Sequence, residues 1–341
     1  LQGGEEGVSV AAVSRMPHAA ETVATDWEGL REAGISGVLA GLGFEERAET
    51  SMQRITTELS IVRADLVEYS LLGRARILDL LRGAEVARIP AMTSSWSQEP
   101  GGGAPYLIDI TGLAKPFIYT AVRGQLLRHG HAYIAYTAAE ESYPLPEEVE
   151  KRLRDSADDD MFARLSRFDD ILTGEEGSYD FLRVGSGDVD DGRRRMLIAA
   201  SSAKHERLFT LLDRREYDRV QIMIPADDAP RSRLAALAAE VAASDYHACE
   251  ITKVDTHDLI AMVTAVEDAY SRRYLEENYN VEVGLTGSKL HAAALAIASA
   301  DLKFTEAWYL RPGAYDPDRF TTGSGETLLY RVTRRQPTPE A

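Results

Sequence analysis

The chain carries one short motif twice. Asp109-Ile110-Thr111-Gly112-Leu113-Ala114-Lys115 returns, slightly altered, as Gly284-Leu285-Thr286-Gly287-Ser288-Lys289. Each copy follows an apolar run, Tyr106-Leu107-Ile108 or Val281-Glu282-Val283, and precedes a helical pattern. A strand that stops at Thr-Gly and a helix that starts at Lys leave unpaired backbone N–H groups at the helix N-terminus, where an anion can sit. Lys115 and Lys289 would neutralise a phosphate, the Thr111 and Thr286 hydroxyls would add hydrogen bonds, and Gly112, Gly287 and Ser288 complete the loops. The plainer alternative is a strand end and a helix cap with a solvated lysine. Repetition favours a ligand. Asp109 can hold Lys115 or a ribose, or serve as a cap; its counterpart Gly284 has no side chain.

A second pair of loops follows the first strand of each half. One runs through Gly43 to Glu45, Glu46 and Arg47, the other from Ser201 to Lys204, His205, Glu206 and Arg207. Arg47 and Arg207 suit phosphate, because a guanidinium grips it with two parallel hydrogen bonds. Glu45 is either part of such a site or an acid favouring the helix dipole. Lys204 adds charge, and His205 is the candidate acid or base if a ligand is cut. Gly41-Leu42-Gly43 is too short for a dinucleotide fingerprint, and Ser201-Ser202 lacks the nucleophile elbow. Trp96 and Trp308-Tyr309 can stack on a base, although the latter pair lies in a strand pattern and reads as core.

The pattern around these loops predicts a strand at 37–42 with a helix to about Leu59, an apolar run at 61–67, a helical pattern at 71–81, and a strand at 85–89. The first motif helix then runs to about His129 and a strand follows at 131–137. After Arg195 the order restarts: strands at 196–200, 220–224 and 246–254 alternate with helices, then come the second motif, its helix to about Ala300, and a strand at 304–310. Such alternation argues for α/β architecture with mainly parallel sheets, whose ligands lie beyond the carboxyl ends of the strands. The repeated order predicts two Rossmann-like units, 35–138 and 196–335, related by internal duplication about a pseudo-twofold. They are flanked by an N-terminal arm or lead-in helix (1–34) and a tail (336–341). Residues 139–195, with Glu147-Glu148, Asp158 to Asp160, Asp169-Asp170 and Glu175-Glu176, read as an acidic insert or linker whose acids form a solvated face.

The 38 basic and 55 acidic side chains leave a net charge of −17, which argues against duplex nucleic acid as a partner but allows a small anion in a local basic pocket. Cys249 is the single cysteine, and no Cys/His spacing suggests a metal site; no cofactor is expected. No apolar run approaches membrane-spanning length, and 8–13 is too short for a signal peptide, so a cytoplasmic location is expected.

The Thr-Gly-to-Lys loops resemble the motif of CRISPR-associated Rossmann-fold (CARF) sensors, and two such units in one chain look like the related SAVED sensors of antiphage signalling. The first copy keeps the family spacing of Thr, Gly and Lys; the second is one residue shorter, and neither has paired glycines. The resemblance implies a cyclic oligonucleotide on the pseudo-twofold axis, with Gly43 to Arg47 and Ser201 to Arg207 as the other two walls. It implies output through an effector protein, a homo-oligomer or ring-nuclease-like cleavage of the ligand. Two other readings stay open: an enzyme acting on a nucleotide or sugar phosphate in the same cleft, and an interaction subunit docking through its acidic insert.

Overall fold

The computed structural model describes residues 20–43, 45–69, 74–79, 84–90, 106–184, 187, 192–272 and 279–334. The first half contains β1 (Ala20–Ala24), α1 (Trp27–Glu32), β2 (Gly37–Leu42), α2 (Glu46–Glu58), β3 (Arg63–Tyr69), β4 (Arg74–Asp79), β5 (Ala84–Pro90), β6 (Tyr106–Asp109), α3 (Lys115–His129) and β7 (His131–Thr137). Next come β8 (Glu141–Ser142), α4 (Pro146–Asp155), α5 (Met161–Ser166) and β9 (Glu175–Arg183). The second half holds β10 (Arg195–Ala200), α6 (Glu206–Arg214), β11 (Arg219–Pro225), α7 (Pro230–Ser244), β12 (Cys249–Val254), α8 (Leu259–Tyr270), β13 (Asn280–Gly284), α9 (Lys289–Ala298) and β14 (Phe304–Tyr315). Short β15 (Thr321–Thr322) and β16 (Thr327–Arg334) end the described chain.

Two sheets form, each with a parallel centre. The first has the order β1-β16-β7-β6-β2-β3-β4-β5, parallel from β7 to β3; the second has the order β12-β11-β10-β13-β14-β9, parallel except for β9. The second is a Rossmann-like arrangement, with its first strand central and the crossover to β13 beside it. The first shares this plan through β3-β2-β6-β7, so β2 matches β10, β6 matches β13 and α3 matches α9.

Two expectations need correction. Within the helical pattern expected at 71–81, the described residues 74–79 are instead the strand β4, antiparallel to β3 and β5. Its apolar positions fit either period, and pairing to β3 decides the outcome, as tertiary context does for short ambiguous runs. Of the two readings of the N-terminal stretch, the lead-in helix is present as α1, capped by Asp26 and burying Leu30, and β1 before it pairs with β16. The acidic insert is folded onto the second unit. Val149, Leu153, Leu165 and Phe168 pack with Leu234, Leu237 and Val241 of α7, while β9 joins the sheet along β14. The Trp96 region lies outside the described residues.

The two motif helices, α3 and α9, pack against each other between the sheets. Ile118 and Val122 share one continuous core with Ala293, Ala294 and Ile297. Every residue from Leu290 to Ala298 is buried, as expected of a helix apolar on all sides. Its run of alanines permits close approach. The N-termini of both helices, and hence both Thr-Gly loops, are therefore brought together.

Candidate functional site

Each Thr-Gly loop is stitched to its own sheet by its threonine. Thr111 Oγ1 accepts the Thr137 N–H at 2.9 Å and donates to Ser51 Oγ at 3.3 Å, and Thr286 Oγ1 donates to the Ala200 carbonyl at 2.6 Å. The hydroxyls expected to meet a phosphate are committed to internal bonds. Ser288 likewise caps α9, its Oγ accepting the His291 N–H at 3.1 Å. Gly112 is required by close approach: a Cβ there would lie 2.2 Å from the Gly41 carbonyl oxygen. At Gly287 it would lie 2.8 Å from Ala200 Cβ, so the same crowding recurs in milder form. Asp109 turns back to accept the Thr111 N–H at 3.0 Å, and burial raises its pKa.

The lysines cross between units. Lys289 Nζ reaches the Thr111 carbonyl and the Glu45 carboxylate, 2.5 Å from Oε1. Lys115 Nζ reaches the Thr286 carbonyl at 3.4 Å. Each lysine thus contacts the other unit's threonine, the reciprocity expected across a pseudo-twofold. The two environments differ, because Lys289 meets a carboxylate within ion-pair distance and Lys115 has only its carbonyl among the described residues.

Around them stand two arginine–carboxylate pairs. Arg47 holds Glu45 Oε2 through Nη2 at 2.6 Å and Nε at 2.8 Å, and spends Nη1 on the Thr137 carbonyl at 2.8 Å. Thr321 Oγ1 adds a bond to Glu45 at 2.8 Å. Arg207 holds Glu175 through Nε, 2.8 Å from Oε2, and through Nη2 to Oε1. Lys204 Nζ stands 3.3 Å from Glu175 and 3.5 Å from the centre of the Phe320 ring. Tyr179 donates to Glu175 at 2.9 Å.

These charges reshape one another. Burial would raise the Glu45 pKa, but Lys289 and Arg47 bring it down to about 2. Glu175 is brought to about 2 against its burial by Arg207, Lys204 and Lys115. Burial, then neighbouring Arg207, pushes Lys115 well below the usual lysine range. Lys204 falls to about 7, mainly through burial, with Glu175 opposing and Arg207 assisting the fall. Lys289 is also lowered by burial, against the pull of Glu45.

Of the residues singled out in the sequence, Glu45, Arg47, Lys115, Lys204, Arg207 and Lys289 are thus brought together. His205 is not: its ring packs edge-on to Phe209, 6.0 Å between centres, and lines an adjoining cleft of about 610 Å3 with Phe162, Tyr179 and Glu206. Trp308 stacks on Phe181 in the second unit's core.

Sequence reasoning missed four participants. Glu175, read as part of a solvated acidic face, has no exposed side-chain surface. Nothing local marks it, since it reaches Arg207 only because β9 pairs with β14. Phe320 and Thr321 arrive on the segment that crosses between the sheets. His291 is fully buried below the lysines, with neither ring nitrogen hydrogen-bonded among the described residues, and burial together with Lys115 lowers its pKa to about 3. Its place one turn into the second motif helix was the available signal.

Among the described residues, no group of His, Cys, Asp and Glu is arranged to hold a metal ion and no helix is long and apolar enough to cross a membrane. Comparison with protein families and with curated proteins finds no match. Among solved structures, a type III CRISPR defence DNA nuclease activated by cyclic oligoadenylate is similar to this chain at 10% sequence identity and a TM-score of 0.45, covering 85% of this chain and 67% of the nuclease. A likeness at that level assigns neither family nor activity.

Proposed function

We propose that the chain is a nucleotide sensor that binds a cyclic oligonucleotide, or a related nucleotide second messenger, between its two Rossmann-like units. The observation that carries this reading is the reciprocal exchange of Lys115 and Lys289 across the pair of Thr-Gly loops. Arg47, Lys115, Lys204, Arg207 and Lys289 gather around Glu45 and Glu175, so cations outnumber ion-paired carboxylates in a protein whose overall charge is strongly negative. A buried surplus of positive charge is costly unless an anion completes it. A ligand with several phosphates set about a twofold matches two half-sites related in the same way. The resemblance of the loops to the CARF and SAVED motif supports a role in antiviral defence, with output passed to an effector protein.

Calorimetric titration of cyclic di-AMP, cyclic tri- and tetra-adenylate, AMP and inorganic tripolyphosphate tests the reading. Saturable binding of a cyclic compound, weakened at least tenfold in Lys115→Met and Lys289→Met, supports it. Absence of binding by every probe to folded protein refutes it. Chromatography of the same mixtures distinguishes a ligand that is held from one that is cleaved.

A further inference from the structure

The two carboxylates of the site have different origins. Glu45 belongs to the loop between β2 and α2 and stands just before Arg47, the residue that holds it. In the second unit the loop between β10 and α6 offers Lys204 and His205 ahead of Arg207, and no acid before Glu206. The missing carboxylate comes from Glu175, the first residue of β9, on the insert. Arg207 grips it with two nitrogens on two oxygens, the geometry in which a guanidinium grips a phosphate. Lys204 and, farther off, Lys115 face the same carboxylate. The seat that this unit could offer a phosphate is filled by part of the chain itself.

Resting on the nucleotide-sensor reading above, we infer that Glu175 is a built-in competitor for one phosphate seat, which an entering ligand phosphate displaces from Arg207 and Lys204. The surroundings support displacement over simple addition. Glu175 has no exposed side-chain surface, so no phosphate reaches Arg207 while the carboxylate remains. Beside it runs the segment from the end of β14 to β15. Tyr315 is its strand partner, Phe320 lies over Lys204, and the Arg319 carbonyl packs so closely on Gly174 that a Cβ there would stand 2.1 Å from it. Thr321 on the same segment bonds Glu45 in the other half-site. Withdrawal of Glu175 therefore pulls on a segment that ends at Glu45, and links occupancy of one half-site to the geometry of the other. Expulsion of a carboxylate by an incoming phosphate also confers selectivity, because a weakly charged anion gains less from the exchange than a phosphate does.

Glu175→Gln tests this, since it keeps the side-chain shape and removes the charge. The probes are cyclic tetra-adenylate and inorganic tripolyphosphate, titrated into the wild type, Glu175→Gln and the neighbouring exposed control Glu176→Gln, with circular dichroism confirming the fold. The expected result is binding at least tenfold tighter in Glu175→Gln than in the wild type, and no change in Glu176→Gln. Hydrogen exchange gives an independent readout: backbone amides of 174–176 and 316–322 exchange faster in Glu175→Gln without probe, and in the wild type with probe. Wild-type binding that Glu175→Gln equals or weakens overturns the role of Glu175 and leaves the sensor reading standing. Failure of both proteins to bind removes both. If Glu175→Gln does not fold, Glu175→Asp, whose shorter carboxylate cannot span Arg207 and Lys204 together, is expected to tighten binding at least threefold, and unchanged affinity overturns the proposal.

Discussion

Lys115 and Lys289 occupy matching places but should respond to the same mutation with opposite signs of stability. Lys289→Met leaves Glu45 buried and missing the partner 2.5 Å from its Oε1. Removing one member of a buried ion pair costs on the order of 3–5 kcal/mol. Here Arg47 and Thr321 still hold the other oxygen, which reduces the expected loss to roughly 2–3 kcal/mol. At about 2–4 °C per kcal/mol for folding units of this size, the melting temperature should fall by roughly 4–12 °C. Lys115 has no carboxylate within ion-pair distance among the described residues and lies beside Arg207 and Lys204. Replacing it with an apolar side chain of similar length removes a desolvated amine and orphans only a carbonyl at 3.4 Å. Removing a buried amine that has no ion-pair partner relieves its desolvation, so Lys115→Met should melt at or above the wild-type temperature. Both variants should lose anion binding. Differential scanning fluorimetry at pH 7.5, with calorimetry on the same samples, reads both quantities. Equal destabilisation by the two substitutions would refute the asymmetry.

Gly112→Ala forces a Cβ against the Gly41 backbone and should cost more than about 3 kcal/mol, whereas Gly287→Ala first meets side-chain atoms of Ala200 and His291 and should cost about 1–2 kcal/mol; urea unfolding compares them. Lys204, near pH 7 in the free protein, is driven to its charged form by a bound anion, so affinity for tripolyphosphate should fall as pH rises from 6 to 8.5. Titration in two buffers of different ionisation enthalpy should show proton uptake, and its absence counts against the assignment. His291 has a folded-state pKa of about 3 against 6.5 for the free side chain, so the unfolded chain binds more protons between those values and stability falls with pH below about 6.5. The slope is at most about 1.4 kcal/mol per pH unit, and His291→Leu should flatten it in urea melts at pH 7, 6 and 5.

Alternation of apolar strands with helices made the two parallel centres readable, because a strand buried on both faces leaves an uninterrupted apolar run such as Met196 to Ala200. The loops before Arg47 and Arg207 and the two Thr-Gly motifs were readable for a similar reason, since each lies at a strand-to-helix junction. Partners set by distant pairing were not. The acid beside Arg207 could not be found from sequence spacing, because Glu175 and Arg207 meet only through β9 and β14. Thr111 and Thr286 looked like ligand donors because a sequence shows a hydroxyl but not the carbonyl or N–H that already occupies it. The hairpin at β4 was hidden by a run whose apolar residues fit both periods.

The return of β16 to the first sheet affects the order in which the protein can be built. Between β1 and β7, the place filled by Thr327–Arg334 is served by chain that follows the entire second unit. On the ribosome, β7 must wait with an open edge until the second unit has been synthesised, so the first unit cannot finish folding as an N-terminal piece. The same arrangement rules out cutting the two units apart between β9 and β10, because an isolated first half would lack one of its inner strands.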